Sequence, residues 1–485
     1  MLCLFKTSQE FDRETGLASI SGPTRYFLYR LVSDPDSWGT PVTVTNFVKR
    51  YKVNDRVVSK GINELVGCGL IKKEVVQPVS ENGRYQYFLD EGFVERLDSV
   101  KGEALCRNLE AVVEHVLTAG GDEVGRLGSK WLTPYNRVVL AALLVKSDAA
   151  GAVSDVGASD LKRIAGLSAD GLRSQLSKLM ELGYIRSRVP GVTGRYLFGL
   201  SKGAYFLNLA HPDFLGLGGQ VCLLLRVSKY VDELGGFRSA HGMYSQSAVI
   251  RQFLTNEAQS IVRLNWARQD RLEPLSAQNA KWFEAAFEIE RGLGTLMRLH
   301  EWFRDEPRAP FIAYLQMLIN RYASQIVNSC LHDGGWDFRD SKNGLIGQIR
   351  KDLSAADSLL GENSTVVDAV AYSAIKEALK VWEILISDTE IQKLALSGVR
   401  CQIMPLSDPK MTVLYTSILV YGEGLPEQFQ NCCWRVEMKP DNRRRRWVQH
   451  SKCALGPEGA LEEYQAFSFG LRSVGKRYPR AASTD

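Results

Sequence analysis

Long apolar runs are missing from this chain. No stretch of roughly 18 or more apolar residues occurs, so no membrane-spanning helix and no membrane partner are expected. The start, MLCLFKTSQEFDRETG, turns charged by Lys6 and Glu10 and lacks the apolar core of a secretory signal, which predicts a cytoplasmic protein. The nine cysteines are scattered, odd in number and contain no C-x-x-C; the adjacent Cys432 and Cys433 cannot grip one zinc ion alone. Reduced, buried thiols are expected. Six histidines show no H-E-x-x-H, and no G-x-S-x-G elbow is present. The run from Gly470 to Arg477 imitates a phosphate loop. It has Arg477 where magnesium needs Ser or Thr, and only eight residues remain for the helix that must follow. His332–Asp337 is explained equally by a glycine turn between helices. These absences predict a protein without catalysis, cofactor or metal.

A large charge excess is also missing. Lys and Arg number 60 against 55 Asp and Glu, a net +5, so the partner must be read from where the cations sit. What is present is an ordinary globular composition, 45% hydrophobic and 24% charged, over 485 residues, enough for roughly three domains at about 150 residues each.

The first two hundred residues contain a repeat. A shift of 114 superimposes Phe47 on Leu161, Val53 on Leu167, Val58 on Leu172, Ile62 on Leu176, Leu65 on Leu179 and Gly69-Leu70-Ile71 on Gly183-Tyr184-Ile185. Each copy predicts a short helix carrying Phe47 and Val48 or Leu161 and Ile164. A turn follows, then a second helix whose inward face is 58, 62, 65 and 66, or 172, 176, 179 and 180. Asn54 and Ser168 are N-cap candidates, and Gly69 and Gly183 end the helices. A β-hairpin follows in each copy, with Asn82-Gly83-Arg84-Tyr85 matching Gly194-Arg195-Tyr196 at a shift of 111. Upstream, 23–33 and 134–147 each begin at a proline and supply a first helix.

Residues 20–95 and 131–205 therefore resemble winged helix-turn-helix domains of MarR-like and GntR-like bacterial regulators, and the phrases Leu65–Ile71 and Leu179–Ile185 before the wing are similar to theirs. The tandem arrangement also resembles plasmid replication initiators. The resemblance implies a mainly α protein with α+β parts, and a second helix that enters the major groove of double-stranded DNA. Its outward residues are Arg56, Ser59, Lys60 and Asn63 in the first copy and Arg173, Ser174, Ser177 and Lys178 in the second, beside the acids Asp55 and Asp170. Arg on guanine and Asn on adenine are direct-readout pairs. The wings add Lys72, Lys73 and Arg84, and Arg186, Arg188 and Arg195, suited to phosphate or minor-groove contact. Lys49, Arg50 and Lys52, and Lys162 and Arg163, sit just before the recognition helices.

The expected domains are 1–100 and 101–210, two winged helices; 211–390, a helical bundle; and 391–485, a β-rich region with a terminal helix and basic tail. The bundle is predicted from stripes at Trp282–Ile289, Phe311–Cys330 and Val367–Leu385, which fit core packing or a dimer face. Arg443, Arg444, Arg445, Arg446 and Trp447 suit either a solvated hairpin tip or nucleic-acid contact. The expectation is a nucleoid-associated transcriptional regulator that binds duplex DNA as a homo-oligomer, with a protein partner or the dimer contact on the C-terminal region. A replication initiator of a mobile element, and a scaffold subunit using winged helices to bind protein, remain the alternatives.

Overall fold

The computed structural model describes residues 2–228 and 308–454, except 6–11, 14, 35–42, 78–83, 94, 96–108, 119–131, 195–197, 215–216, 218–221, 333–337, 354–363, 388–398, 406–414, 423, 431 and 441–444. The chain is a mixture of helices and small sheets and divides into two compact units. The first comprises Met1–Arg188, Lys202–Val221 and Cys453–Asp485, the second Val189–Ser201 and Cys222–Lys452. No described helix is long and apolar enough to cross a membrane.

In the first unit, the repeat forms as α1 (Gly22–Val32), α2 (Val44–Tyr51), α3 (Asp55–Gly67), β1 (Ile71–Gln77) and β2 (Arg84–Leu89). After α4 (Glu110–Thr118) it recurs as α5 (Pro134–Val145), β3 (Ala152–Val153), α6 (Ala158–Ala165), α7 (Ala169–Glu181), β4 (Ile185–Val189) and β7 (Ala204–Leu207). Pro23 and Pro134 occupy first turns, where their missing N–H costs nothing. The Asn54 side chain accepts from Val57 N–H at 2.9 Å, and Ser168 from Gly171 N–H at 3.1 Å. Gly69 and Gly183 follow the helix ends at φ +68° and +83°, which lets Leu70 N–H reach Leu65 O and Tyr184 N–H reach Leu179 O.

Both copies share one hydrophobic core. Val58, Ile62 and Leu65 of α3, and Leu172, Leu176 and Leu179 of α7, all point into it. Val66 does not: it is exposed, one position beyond the buried face. In the first copy an aromatic cluster fills the interior, with Phe27 edge-on to Phe47 at 5.6 Å and Phe47 5.7 Å from Tyr87. A Cβ at Gly61 would sit 2.8 Å from Phe27 Cδ1, so this glycine lets α1 and α3 approach. The aligned residue in the second copy is Gln175, whose Oε1 accepts from Asn136 Nδ2 at 2.7 Å.

The copies are fastened by buried charge. Asp12 is fully buried and pairs with Arg25 of α1 at 3.1 Å and with Arg163 of α6. Arg25 also donates to Leu4 O at 2.7 Å and Leu17 O at 2.9 Å. Burial lowers its pKa to about 10, still high enough to keep it charged at neutral pH. Arg30 of α1 donates to Thr118 O at 2.9 Å, and Arg137 of α5 to Val116 O. Two cations thus cover the carbonyls that α4 leaves open at its C-terminus.

The second unit holds β5 (Val192–Gly194) paired with β6 (Gly199–Ser201), and a five-stranded sheet in the order β12-β11-β8-β10-β9. Its strands are β8 (Cys222–Ser228), β9 (Arg400–Met404), β10 (Tyr415–Tyr421), β11 (Cys432–Pro440) and β12 (Arg445–Ala454). Helices α8 (Arg308–His332), α9 (Phe338–Leu353) and α10 (Ser364–Ser387) accompany it. The described helices within 308–387 and the strands within 400–452 fall in one unit, in which the apolar segment 222–228 is the sheet's central strand, antiparallel to β10 and parallel to β11. The hairpin of 189–201 groups with this unit as well. The stripes on α8 and α10 are core: Phe311, Leu315, Leu318, Tyr322, Val370, Ala374, Ala378 and Val381 are buried. The stripe Trp282–Ile289 and the Gly470–Arg477 segment lie outside the described residues.

Edge strand β9 is covered by α8. Asn328 uses its amide as a strand would, accepting from Cys401 N–H at 2.7 Å and donating to Cys401 O at 2.9 Å. Ile403 N–H donates to Ser324 Oγ at 2.8 Å. Three outward backbone groups of the edge are thus paired.

Candidate nucleic-acid interface

With 58, 62 and 65 inward, the helical period turns Arg56, Lys60 and Asn63 of α3 outward, and all three are exposed; Ser59 is half-buried at the margin. Lys60 stands 3.3 Å from Glu64 one turn on, yet its side chain is 54% exposed. Glu64 itself is turned toward α1, where its Oε2 accepts Ser21 N–H at 2.8 Å. Burial raises its pKa, but hydrogen bonds from Thr24 and Ser21 and the charge of Lys60 outweigh this and hold the carboxyl below its usual value. This acid therefore serves the fold, and the outward face carries Arg56, Lys60 and Asn63 beside the exposed Asp55.

Lys49 and Lys52 are exposed beside α3, and Arg50 pairs with Asp34. On the hairpin, Lys72 is 67% exposed and 3.8 Å from Asp90, and the Lys73 ammonium lies 3.8 Å over the Tyr85 ring. Cation–π contact of this kind fixes the ammonium's direction without removing it from water. Arg84 opens β2, paired in register with Gln77.

The second copy places its cations differently. Arg173, Ser174 and Ser177 are exposed on α7 and Lys178 is half-buried; Arg173 is held at 2.9 Å by Asp170. Of its expected wing residues, one is buried and one half-buried. Arg186 is only 4% exposed, with Nε and Nη2 on Asn208 Oδ1 at 3.1 and 2.8 Å, so it is a core group of the β4–β7 sheet and cannot reach a phosphate. Arg188 is half-buried, its guanidinium 5.7 Å over the Tyr205 ring. Arg163, expected near the recognition helix, is committed to Asp12. Arg445, Arg446 and Trp447 lie on strand β12; Arg195, Arg443 and Arg444 lie outside the described residues.

Sequence reading missed the Asp12–Arg25–Arg163 triad and a second cluster below α7. There Tyr184 donates to Asp213 and stacks on His211 at 4.0 Å, and His211 Nε2 meets Leu182 O at 3.1 Å. Burial first, then Asp213, pushes the Tyr184 hydroxyl pKa upward. The only sequence signal was the polar pair in His211-Pro212-Asp213-Phe214 beside a wing strand. No described group of three or more His, Cys, Asp or Glu side chains is placed to hold a metal ion.

The second helices of the two copies thus carry exposed cations, an amide and hydroxyls, beside the exposed carboxylates of Asp55 and Asp170. Such a set can pair with phosphates and with the edges of bases. The chain matches no family model, and comparison with curated proteins and with solved structures returns no match.

Proposed function

We propose that this protein is a sequence-specific, duplex-DNA-binding transcriptional regulator built on two winged-helix modules. The observation that carries the reading is the succession of two helix–turn–helix–strand modules whose second helices turn Arg56, Lys60 and Asn63, and Arg173, Ser174 and Ser177, to solvent. A helix with this face fits the major groove, and Lys72 and Lys73 on the following hairpin suit adjacent phosphates. The second compact unit serves self-association or a protein partner; a two-fold dimer then meets an operator of matching symmetry. Selection from random duplex DNA tests the reading. Recovery of one motif supports it. Binding without a motif, fading as salt rises, means phosphate contact alone and defeats it.

A further inference from the structure

Resting on that reading, we infer that the two modules divide the work: the first specifies DNA sequence, and the second positions the protein on phosphates while its hairpin belongs to the C-terminal unit. Three observations carry this.

The first is the chemistry at equivalent positions. Under the shift of 114, Arg56, Lys60 and Asn63 of α3 correspond to Asp170, Ser174 and Ser177 of α7. A carboxylate thus replaces the guanidinium that reads guanine, and a hydroxyl replaces the amide that reads adenine. Serine accepts and donates indiscriminately, so it carries little choice between bases. The arginine that α7 does present, Arg173, is an ion pair with that same Asp170.

The second is the fate of the basic residues flanking α7. Arg163 faces Asp12, Arg186 is buried on Asn208, and Arg188 is half-buried against Tyr205. Under the same shift Arg163 and Arg186 correspond to Lys49 and Lys72, which are exposed, as are the neighbouring Lys52 and Lys73; Arg188 corresponds to Glu74.

The third is the second hairpin. Beyond β4 the chain enters β5 and β6, where Val192 is buried and Phe198 packs 5.0 Å from both Phe311 and Tyr314 of α8. Its exposed side presents Leu200, 87% accessible and opposite Thr193 in register. Among the described residues of β5 and β6 none is charged, a poor match to a phosphate backbone, and a hairpin seated on α8 is not at liberty to follow a groove.

The spacing on α3 sets the form of the site. Arg56 and Asn63 are two helical turns apart, about 10.5 Å along the axis, or about three base pairs at 3.4 Å each. A half-site with guanine and adenine separated by about three base pairs is the predicted target.

The experiment uses the full chain. The wild type is first selected on random duplex DNA, and the recovered motif is titrated against single-base variants with Arg56→Ala, Asn63→Ala and the double variant Arg173→Ala/Lys178→Ala, each checked for an unchanged melting temperature. Arg56→Ala is expected to erase discrimination at one guanine, about 5- to 150-fold, and Asn63→Ala at one adenine. The α7 double variant is expected to keep the motif, weaken all sequences alike and lower the salt slope by up to about 2. If the α7 variant relaxes a motif position while Arg56→Ala does not, the division of labour is wrong and DNA reading stands. If the wild type enriches no motif, the proposed function falls, and this inference with it.

Discussion

Asp12→Ala tests how the two modules are fused. The carboxylate has no exposed surface and serves two guanidinium groups, one from each repeat. Removing it leaves the Arg25 guanidinium fully buried without its counterion, and arginine does not shed its proton at neutral pH. Loss of one partner of a buried ion pair costs about 3–5 kcal/mol, as the remaining charge has neither water nor counterion. Here the bonds to Leu4 O and Leu17 O survive, so the lower end, about 3 kcal/mol, is expected. Native-state hydrogen exchange in the full chain measures this locally, which matters because a protein of two units need not unfold in one step. The slowest amides of α1 and α5 should exchange about 100-fold faster or more, while those of β8 and β10 stay unchanged. Replacing the pair together, Asp12→Leu/Arg25→Met, should recover much of the loss. Exchange accelerated less than about fivefold in α1 by the single substitution would show that Asp12 is not the fastener.

Three further outcomes follow from the same structure. Gly22→Ala would put a Cβ 2.3 Å from Ala165 O, a backbone atom that cannot rotate away, so a loss of about 1–3 kcal/mol or more is expected in thermal unfolding. Asn328→Ala removes both bonds to Cys401 and leaves an edge N–H and C=O unpaired beneath α8; a cost of about 1–3 kcal/mol should appear as faster exchange at Cys401 and Ile403. Glu64 is held below its ordinary pKa of 4.5 in the fold. Its stabilisation is therefore complete above that value and is lost as pH falls through the lowered one. Glu64→Gln should flatten that part of the acid unfolding curve, and an unaltered curve would contradict the assignment.

Local signals in the sequence were read correctly where the causes are local. Asn54 and Ser168 cap α3 and α7 because the bonded N–H lies three residues away, and Gly69 and Gly183 take positive φ because no Cβ obstructs it. The inward set 58, 62 and 65 follows from the helical period alone. Val66, on the expected inward face with them, is exposed, since adjacent helix positions differ by about 100°. What was illegible depends on distant partners. Arg186 looks like a surface wing residue until Asn208, twenty-two positions on, arrives beside it. Arg163 looks like a groove residue until Asp12 reaches it from the first segment. The segment 222–228 shows only an apolar run; its place at the centre of a sheet is decided by strands nearly two hundred residues later. The cations that sequence reading placed on α3 keep their exposure, and those around α7 largely do not.

The central claim is that α3 reads base edges in the major groove through Arg56. Methylation interference on the selected site tests it most directly, because methylation at guanine N7 blocks the acceptor that an arginine uses. The account predicts that methylation of one guanine in each half-site abolishes wild-type binding and has no effect on the residual binding of Arg56→Ala. Wild-type binding indifferent to guanine methylation, or blocked equally in the variant, would contradict it.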